Sequence, residues 1–141
     1  SQALALAICR DGEGVTKVVK IAVGGAKTVA AAKRVASTIA TSNLVKTALF
    51  GEDANWGRVM GALGRSGVPI NPDTVTVRFD KVVMVKQGIG TGLAAERKIA
   101  QVFKQKEFTI SIDLGQGRAA AHMWTTDLSY DYVRINASYR S

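Results

Sequence analysis

The stretch VTKVVKIAVGGAKTVAAAKRVASTIAT, residues 15–41, changes period in its middle, and that change decides the fold class. Residues 15–23 are dense in β-branched side chains, the composition of a strand. Gly24-Gly25 closes that segment. From residue 26 to 41 apolar positions recur three and four apart, at Val29, Ala32, Val35, Ala36, Ile39 and Ala40. Lys27, Lys33 and Arg34 fall on the opposite side. That spacing predicts an amphipathic helix. A strand leading straight into such a helix predicts a sheet covered by helices.

Upstream, residues 2–10 are apolar and read as another strand, bounded by Asp11-Gly12. The link through Asp11-Gly12-Glu13-Gly14 is either a hairpin or a bulged bend in one long strand, and the residues fit both. Downstream, Ser42-Asn43 interrupts the helix, and Leu44–Phe50 is a short second one. Gly51-Glu52-Asp53 breaks it, and Asp53 or Asn55 caps a third helix to about Arg65, buried through Val59, Met60 and Leu63. After the turn Asn71-Pro72-Asp73, residues 74–79 and 82–86 are strands joined near Asp80-Lys81. Gly88-Ile89-Gly90-Thr91-Gly92 is a loop. A helix follows over 93–105, with Ile99, Val102 and Phe103 inward. Strands over 107–114 and 118–126 flank Gly115-Gln116-Gly117, which reads as a hairpin. Ser129 or Asp127 caps a last helix from Tyr130 to about Ala137. The expected class is α/β in the mixed α+β sense, in a single domain without repeats or linkers.

Composition narrows the function. The 141 residues are enough for one domain with a real core, hiding roughly 68% of the unfolded chain's surface. Hydrophobic residues make up 47% and charged residues 21%, which argues against disorder. No apolar run approaches the roughly 20 residues of a membrane helix, and the opening residues lack the basic leader of a signal peptide. One cysteine, Cys9, and one histidine, His122, exclude an internal disulfide framework and any Cys- or His-rich metal site. They favour a reducing, cytoplasmic compartment. The net charge of +8 comes from scattered basic residues, never more than two in a row and without interleaved aromatics. A solvated basic surface or attraction for small anions explains it better than nucleic-acid binding.

Short motifs carry little chemistry alone. Gly88-x-Gly90-x-Gly92 lacks the spacing of a dinucleotide loop and the lysine of a P-loop, so a flexible turn accounts for it. His122 has no Ser or Cys partner nearby in sequence, and a packed or surface histidine accounts for it. Cys9 reads as a small buried hydrophobe. Gly12-Glu13-Gly14 puts a carboxylate where the backbone can approach a ligand closely, suited to an ammonium group, although a plain turn fits as well. Asn55-Trp56-Gly57-Arg58 fits an anion-binding corner at a helix start, or simple packing by Trp56. The tail carries Tyr130, Tyr132 and Tyr139, unusual for an end that frays.

Four words, in order across nearly the whole chain, carry a resemblance. They are Arg10-Asp11-Gly12-Glu13-Gly14-Val15-Thr16-Lys17; Leu44-Val45-Lys46-Thr47-Ala48-Leu49-Phe50-Gly51; Asn55-Trp56-Gly57-Arg58; and Thr125-Thr126-Asp127-Leu128-Ser129-Tyr130-Asp131-Tyr132-Val133-Arg134-Ile135-Asn136-Ala137. With them the chain resembles the ornithine acetyltransferases, the bifunctional glutamate N-acetyltransferases of arginine biosynthesis, in the C-terminal part of their β chain. The resemblance implies the ornithine acetyltransferase, or DmpA-like, fold, with mixed sheets packed by helices. It implies transfer of acetyl from N-acetylornithine to glutamate through an acyl-enzyme on a threonine. In the family the precursor cuts itself before that threonine. Ser1-Gln2-Ala3 does not match the cleavage word, so the nucleophile is expected upstream, outside this chain, and no catalytic residue within it. Glu13, Asn136 and Ser141 match the family's substrate-binding residues. No cofactor or metal is implied, though acetyl-CoA is a substrate of some members. The implied partners are the α chain and the rest of the β chain, in an α2β2 heterotetramer, with no nucleic acid and no membrane. Two departures stand out: Ala54 where the family usually has Pro, and Ser141 where a terminal Thr is usual, the hydroxyl being kept. Competing readings are a paralogous acyltransferase of another amino-acid pathway and a non-catalytic basic binding module.

Overall fold

The computed structural model describes residues 17–53 and 55–127. Over these residues the chain forms strand β1 (Val18–Ala26), helices α1 (Val29–Ala40), α2 (Asn43–Phe50) and α3 (Trp56–Gly64), and a single 3-10 turn, Pro72–Thr74. Then come β2 (Thr76–Phe79), β3 (Val82–Lys86), β4 (Ile89–Gly90), helix α4 (Leu93–Phe103), β5 (Glu107–Asp113) and β6 (Ala119–Thr126). The six strands make one mixed sheet in the order β4-β3-β2-β5-β1-β6. Only β1 and β5 run parallel; every other neighbouring pair is antiparallel.

Alternation along the strands fixes which face is covered. Val19, Ile21 and Val23 of β1, Val77 and Phe79 of β2, and Phe108, Ile110 and Ile112 of β5 are all buried. They join one core with Val35 and Ile39 of α1, Leu49 of α2, Val59 and Leu63 of α3, and Ile99 and Phe103 of α4. The intervening residues, among them Lys20, Arg78 and Ser111, are half-buried or exposed on the other face. Phe103 anchors α4, its ring 5.3 Å edge-on from Phe79 and 5.1 Å stacked from Phe108.

The helix starts follow their capping residues. Thr28, Ser42 and Asn55 each accept a hydrogen bond from the backbone N–H three positions on. Asn55, not Asp53, is therefore the cap of α3. The expected inward stripe of α1 holds except at Val29, which is 51% exposed because it is the first helical residue, beyond the sheet. Asp80 makes the tight turn between β2 and β3 with φ 53°, accepts the Thr109 N–H on its carboxylate, and ties that hairpin to β5. No helix among the described residues is long and apolar enough to cross a membrane.

Three sequence expectations are corrected. Gly24-Gly25 does not close β1; the strand runs through both glycines to Ala26, with a bulge between Val23 and Ala26. The Gly88–Gly92 loop contains the short strand β4, paired with β3 at Val85–Gly90 and Lys86–Ile89. The larger error is the hairpin around Gly115-Gln116-Gly117. β5 and β6 do not pair; β1 lies between them, parallel to β5 and antiparallel to β6. Two strand spacings are about 10 Å, which the five linking residues cross easily. A Gly-x-Gly signal reports a reversal of the chain, not whether a third strand fills the gap. The strand expected over 2–10, Cys9, Ala54 and the helix expected from Tyr130 lie outside the described residues.

Candidate functional site

The start of β1 meets the start of β5 and the end of β6, for Val18 is in register with both Glu107 and Thr126. One residue beyond the ladder, Lys17 and Asp127 continue the contact. The Lys17 N–H donates to Asp127 Oδ1 at 3.0 Å, and the Asp127 N–H donates to the Lys17 carbonyl at 3.3 Å. Both residues are buried, Asp127 completely and Lys17 at 5% exposure. A carboxylate is tolerated there because it accepts from the main chain.

The Lys17 ammonium turns inward and donates to the Gln105 carbonyl at 3.4 Å. Glu52 Oε1 stands 3.6 Å from the same nitrogen, and the Glu52 side chain is 46% exposed. A buried ammonium without such partners would be strongly unfavourable. Glu52 reaches it from the loop after α2 with φ 53°, a left-handed backbone that glycine or asparagine adopts more readily. Next to this, the Thr125 hydroxyl donates to the Ala40 carbonyl and fixes the end of β6 to the end of α1.

The three residues expected to bind substrate, Glu13, Asn136 and Ser141, lie outside the described residues. What the structure brings together are the points from which their segments depart. Glu13 is four positions before Lys17, and Asn136 is nine positions after Asp127. Sequence reasoning counted Lys17 among scattered basic charges, gave Asp127 only a capping role, and read Glu52 only as part of the Gly51-Glu52-Asp53 helix break. The signal was present, since Lys17 and Asp127 stand inside two of the four words, and Gly51, closing a third, directly precedes Glu52.

Two further clefts are lined by polar side chains. One, of about 380 Å³, lies on the open face of the sheet among Lys20, Thr76, Arg78, Ser111, Asp113 and His122. His122 is exposed there on β6, opposite Ala22, and Trp124 stands opposite Lys20 on the same face. The other, of about 440 Å³, is at the start of α3 between Asp53, Asn55, Trp56, Gly57 and Glu96. Two carboxylates line it, and Arg58 is committed elsewhere, donating to the Leu44 carbonyl at 3.0 Å. The anion-binding alternative for Asn55–Arg58 is thus not supported. Trp56 packs instead, partly buried against the core and over Gly90, where an added Cβ would come 3.0 Å from its ring. Among the described residues no three His, Cys, Asp or Glu side chains are grouped to hold a metal ion.

Over the described residues, a mixed sheet with helices on one face, its strands β1 and β6 joined beyond the ladder by the Lys17–Asp127 contacts, is a two-layer α/β architecture. The chain belongs to the ArgJ family, whose model matches residues 1–141. It is 50% identical over 138 residues to the arginine biosynthesis bifunctional protein ArgJ of Syntrophotalea carbinolica, covering 98% of this chain and 35% of that protein. It is 51% identical over 138 residues to the ArgJ protein of Geobacter sulfurreducens, again covering 98% and 35%. The Staphylococcus aureus ArgJ protein is 47% identical, with 98% of this chain and 33% of that protein covered. The chain thus spans about a third of the length of the curated relatives it matches. The crystal structure of the ArgJ protein of Bacillus halodurans superposes with a TM-score of 0.90 at 43% identity, covering 98% of this chain and 65% of that one. That match bears out the expected mixed fold and the family resemblance.

Proposed function

We propose that the chain is the C-terminal portion of the β chain of a glutamate N-acetyltransferase that moves acetyl from N-acetylornithine to glutamate in arginine biosynthesis. The observation that carries this reading is the meeting of family words at one corner: Lys17 ends one, Asp127 lies in another, and Glu52 follows a third, although Lys17 and Asp127 are 110 positions apart. The names of the relatives, each an arginine biosynthesis bifunctional protein, support the same pathway.

In this reading a threonine hydroxyl carried by another part of the enzyme attacks the acetyl carbonyl of N-acetylornithine. The amide C–N bond breaks, the amine of ornithine leaves with a proton, and the acetyl group remains on the threonine as an ester. The amine of glutamate then attacks that ester, forms N-acetylglutamate and returns the proton to the threonine oxygen. Glu13 takes the ammonium group of the ornithine moiety, because a carboxylate makes a charge-assisted contact with it. Asn136 and Ser141 supply an amide and a hydroxyl for the amino-acid head group. No cofactor takes part, and the working form is an α2β2 assembly in the cytoplasm.

The test uses the complete enzyme with N-acetylornithine and glutamate. Ornithine should be released and N-acetylglutamate formed, and rapid quenching should trap one acetyl group on a threonine outside residues 1–141. A stable acetyl adduct on Ser1, or transfer only to acceptors other than glutamate, overturns the assignment.

A further inference from the structure

We propose that the cleft on the sheet face opposite the helices binds a phosphate group, held between Lys20 and Arg78 over Ser111. The strand register builds it. Arg78 of β2 is directly opposite Ser111 of β5, and Ser111 is directly opposite Ala22 of β1. Lys20 precedes Ala22 by two positions and so stands on the same face. Two strand spacings across and two residues along, the Lys20 and Arg78 Cα atoms are about 12 Å apart. Side chains as long as these converge on one anion in the middle of that gap. Ala22 and Ser111 between them are short, which leaves the cleft of about 380 Å³ open above them.

The donors in this cleft are uncommitted. Among the described residues no hydrogen bond or ion pair engages the side chains of Lys20, Thr76, Arg78 or Ser111, and all four line the cleft. A phosphate monoester carries a charge of about −1.5 to −2 near neutral pH, which one ammonium and one guanidinium balance. The guanidinium fork matches two phosphate oxygens, and the hydroxyls donate to a third. A single carboxylate would leave one of the two cations unmatched. Asp113 fixes the end at which the anion sits. It lies opposite Thr76 and Gly24, with its Oδ1 accepting the Gly115 N–H at 2.9 Å, so its carboxylate repels an anion toward the Ser111 row. The net charge of +8 draws anions to the whole surface, but only this arrangement gives them one place to stop.

The experiment is equilibrium dialysis of the complete enzyme against radiolabelled inorganic phosphate, against glycerol phosphate as a simple monoester, and against succinate. Saturable binding of one phosphate per copy of this chain is expected. Arg78→Gln and Lys20→Gln should each weaken it about 10-fold, because each removes a charge-assisted contact, and Ser111→Ala about 3-fold. The double variant Lys27→Gln/Lys33→Gln removes two exposed cations outside the cleft and should leave the affinity within about twofold. That comparison separates a built site from attraction to net charge. Equal weakening by the cleft variants and by this control overturns the proposal. So does the absence of saturable phosphate binding, or tighter binding of succinate than of phosphate. Tighter binding of the monoester supports the site with a phosphorylated small molecule as its occupant; binding of inorganic phosphate alone supports it with free phosphate. If Lys20→Gln does not fold, Arg78→Gln decides, its exposed side chain leaving the core closed, and an unchanged affinity there overturns the proposal.

Discussion

Gln116 donates its backbone N–H to the Gly25 carbonyl at 2.7 Å, across the far end of β1. Leu114 makes a similar bond to Gly24 at 3.0 Å, so the link from β5 to β6 is sewn to the strand it passes over. The approach is close because Gly25, at φ 65°, has no side chain. A Cβ there would run into the Asp113 carboxylate and come 2.7 Å from the Gly115 nitrogen.

Gly25→Ala is therefore expected to destabilise the protein by about 2–4 kcal/mol. Roughly 1–2 kcal/mol comes from placing an L-residue in the left-handed region, and the rest from displacing the Gly115 backbone. Denaturant unfolding of the enzyme containing this chain checks it. A change below about 0.5 kcal/mol would mean that the link is not held against β1.

The same link explains what the residues disclosed and what they withheld. Period and composition located β1, the three helices after it, the 74–86 hairpin and α4, because each is a local pattern of side chains against one face. Pairing is not local. Nothing in residues 107–126 states that β1, some 90 positions earlier, lies between β5 and β6. The site was legible only as words. Lys17 reads as one more cation, and its burial depends on Glu52 and on the Gln105 carbonyl, which only the folded chain brings to it.

Phe103 should be the most sensitive position of α4. It is 2% exposed and touches both the Phe79 and Phe108 rings, thereby joining that helix to β2 and β5. Phe103→Ala should cost about 3–5 kcal/mol, while Phe103→Leu should cost less because it retains most of the volume. Equal losses for the two variants, measured by denaturant titration, would show that ring packing is not what seats α4.

Glu13→Gln tests the substrate contact itself. Replacing the carboxylate with an amide removes a charge-assisted hydrogen bond worth about 1.5–3 kcal/mol, a loss of roughly 10- to 150-fold in kcat/KM for N-acetylornithine. The melting temperature should stay close to that of the parent, since the change keeps size and shape. Unchanged kinetics with both N-acetylornithine and glutamate would remove Glu13 from the site.

The C-terminal residues separate a substrate-binding tail from a merely structural one. A tail without a task tolerates removal of its last residues. If Ser141 and Asn136 hold the substrate, deleting Ser141 alone should raise KM several-fold, because a lost neutral hydrogen bond is worth about 0.5–1.5 kcal/mol. Asn136→Ala should do more damage, since it removes an amide donor and a carbonyl acceptor together. Neither change takes away apolar area of any size, so thermal stability should shift little in both. The diagnostic result is therefore an order: Asn136→Ala worse than loss of Ser141 in kinetics, with near-equal melting temperatures. If both variants bind N-acetylornithine normally, or if both lose activity only in step with unfolding, these two residues serve the fold and not the substrate.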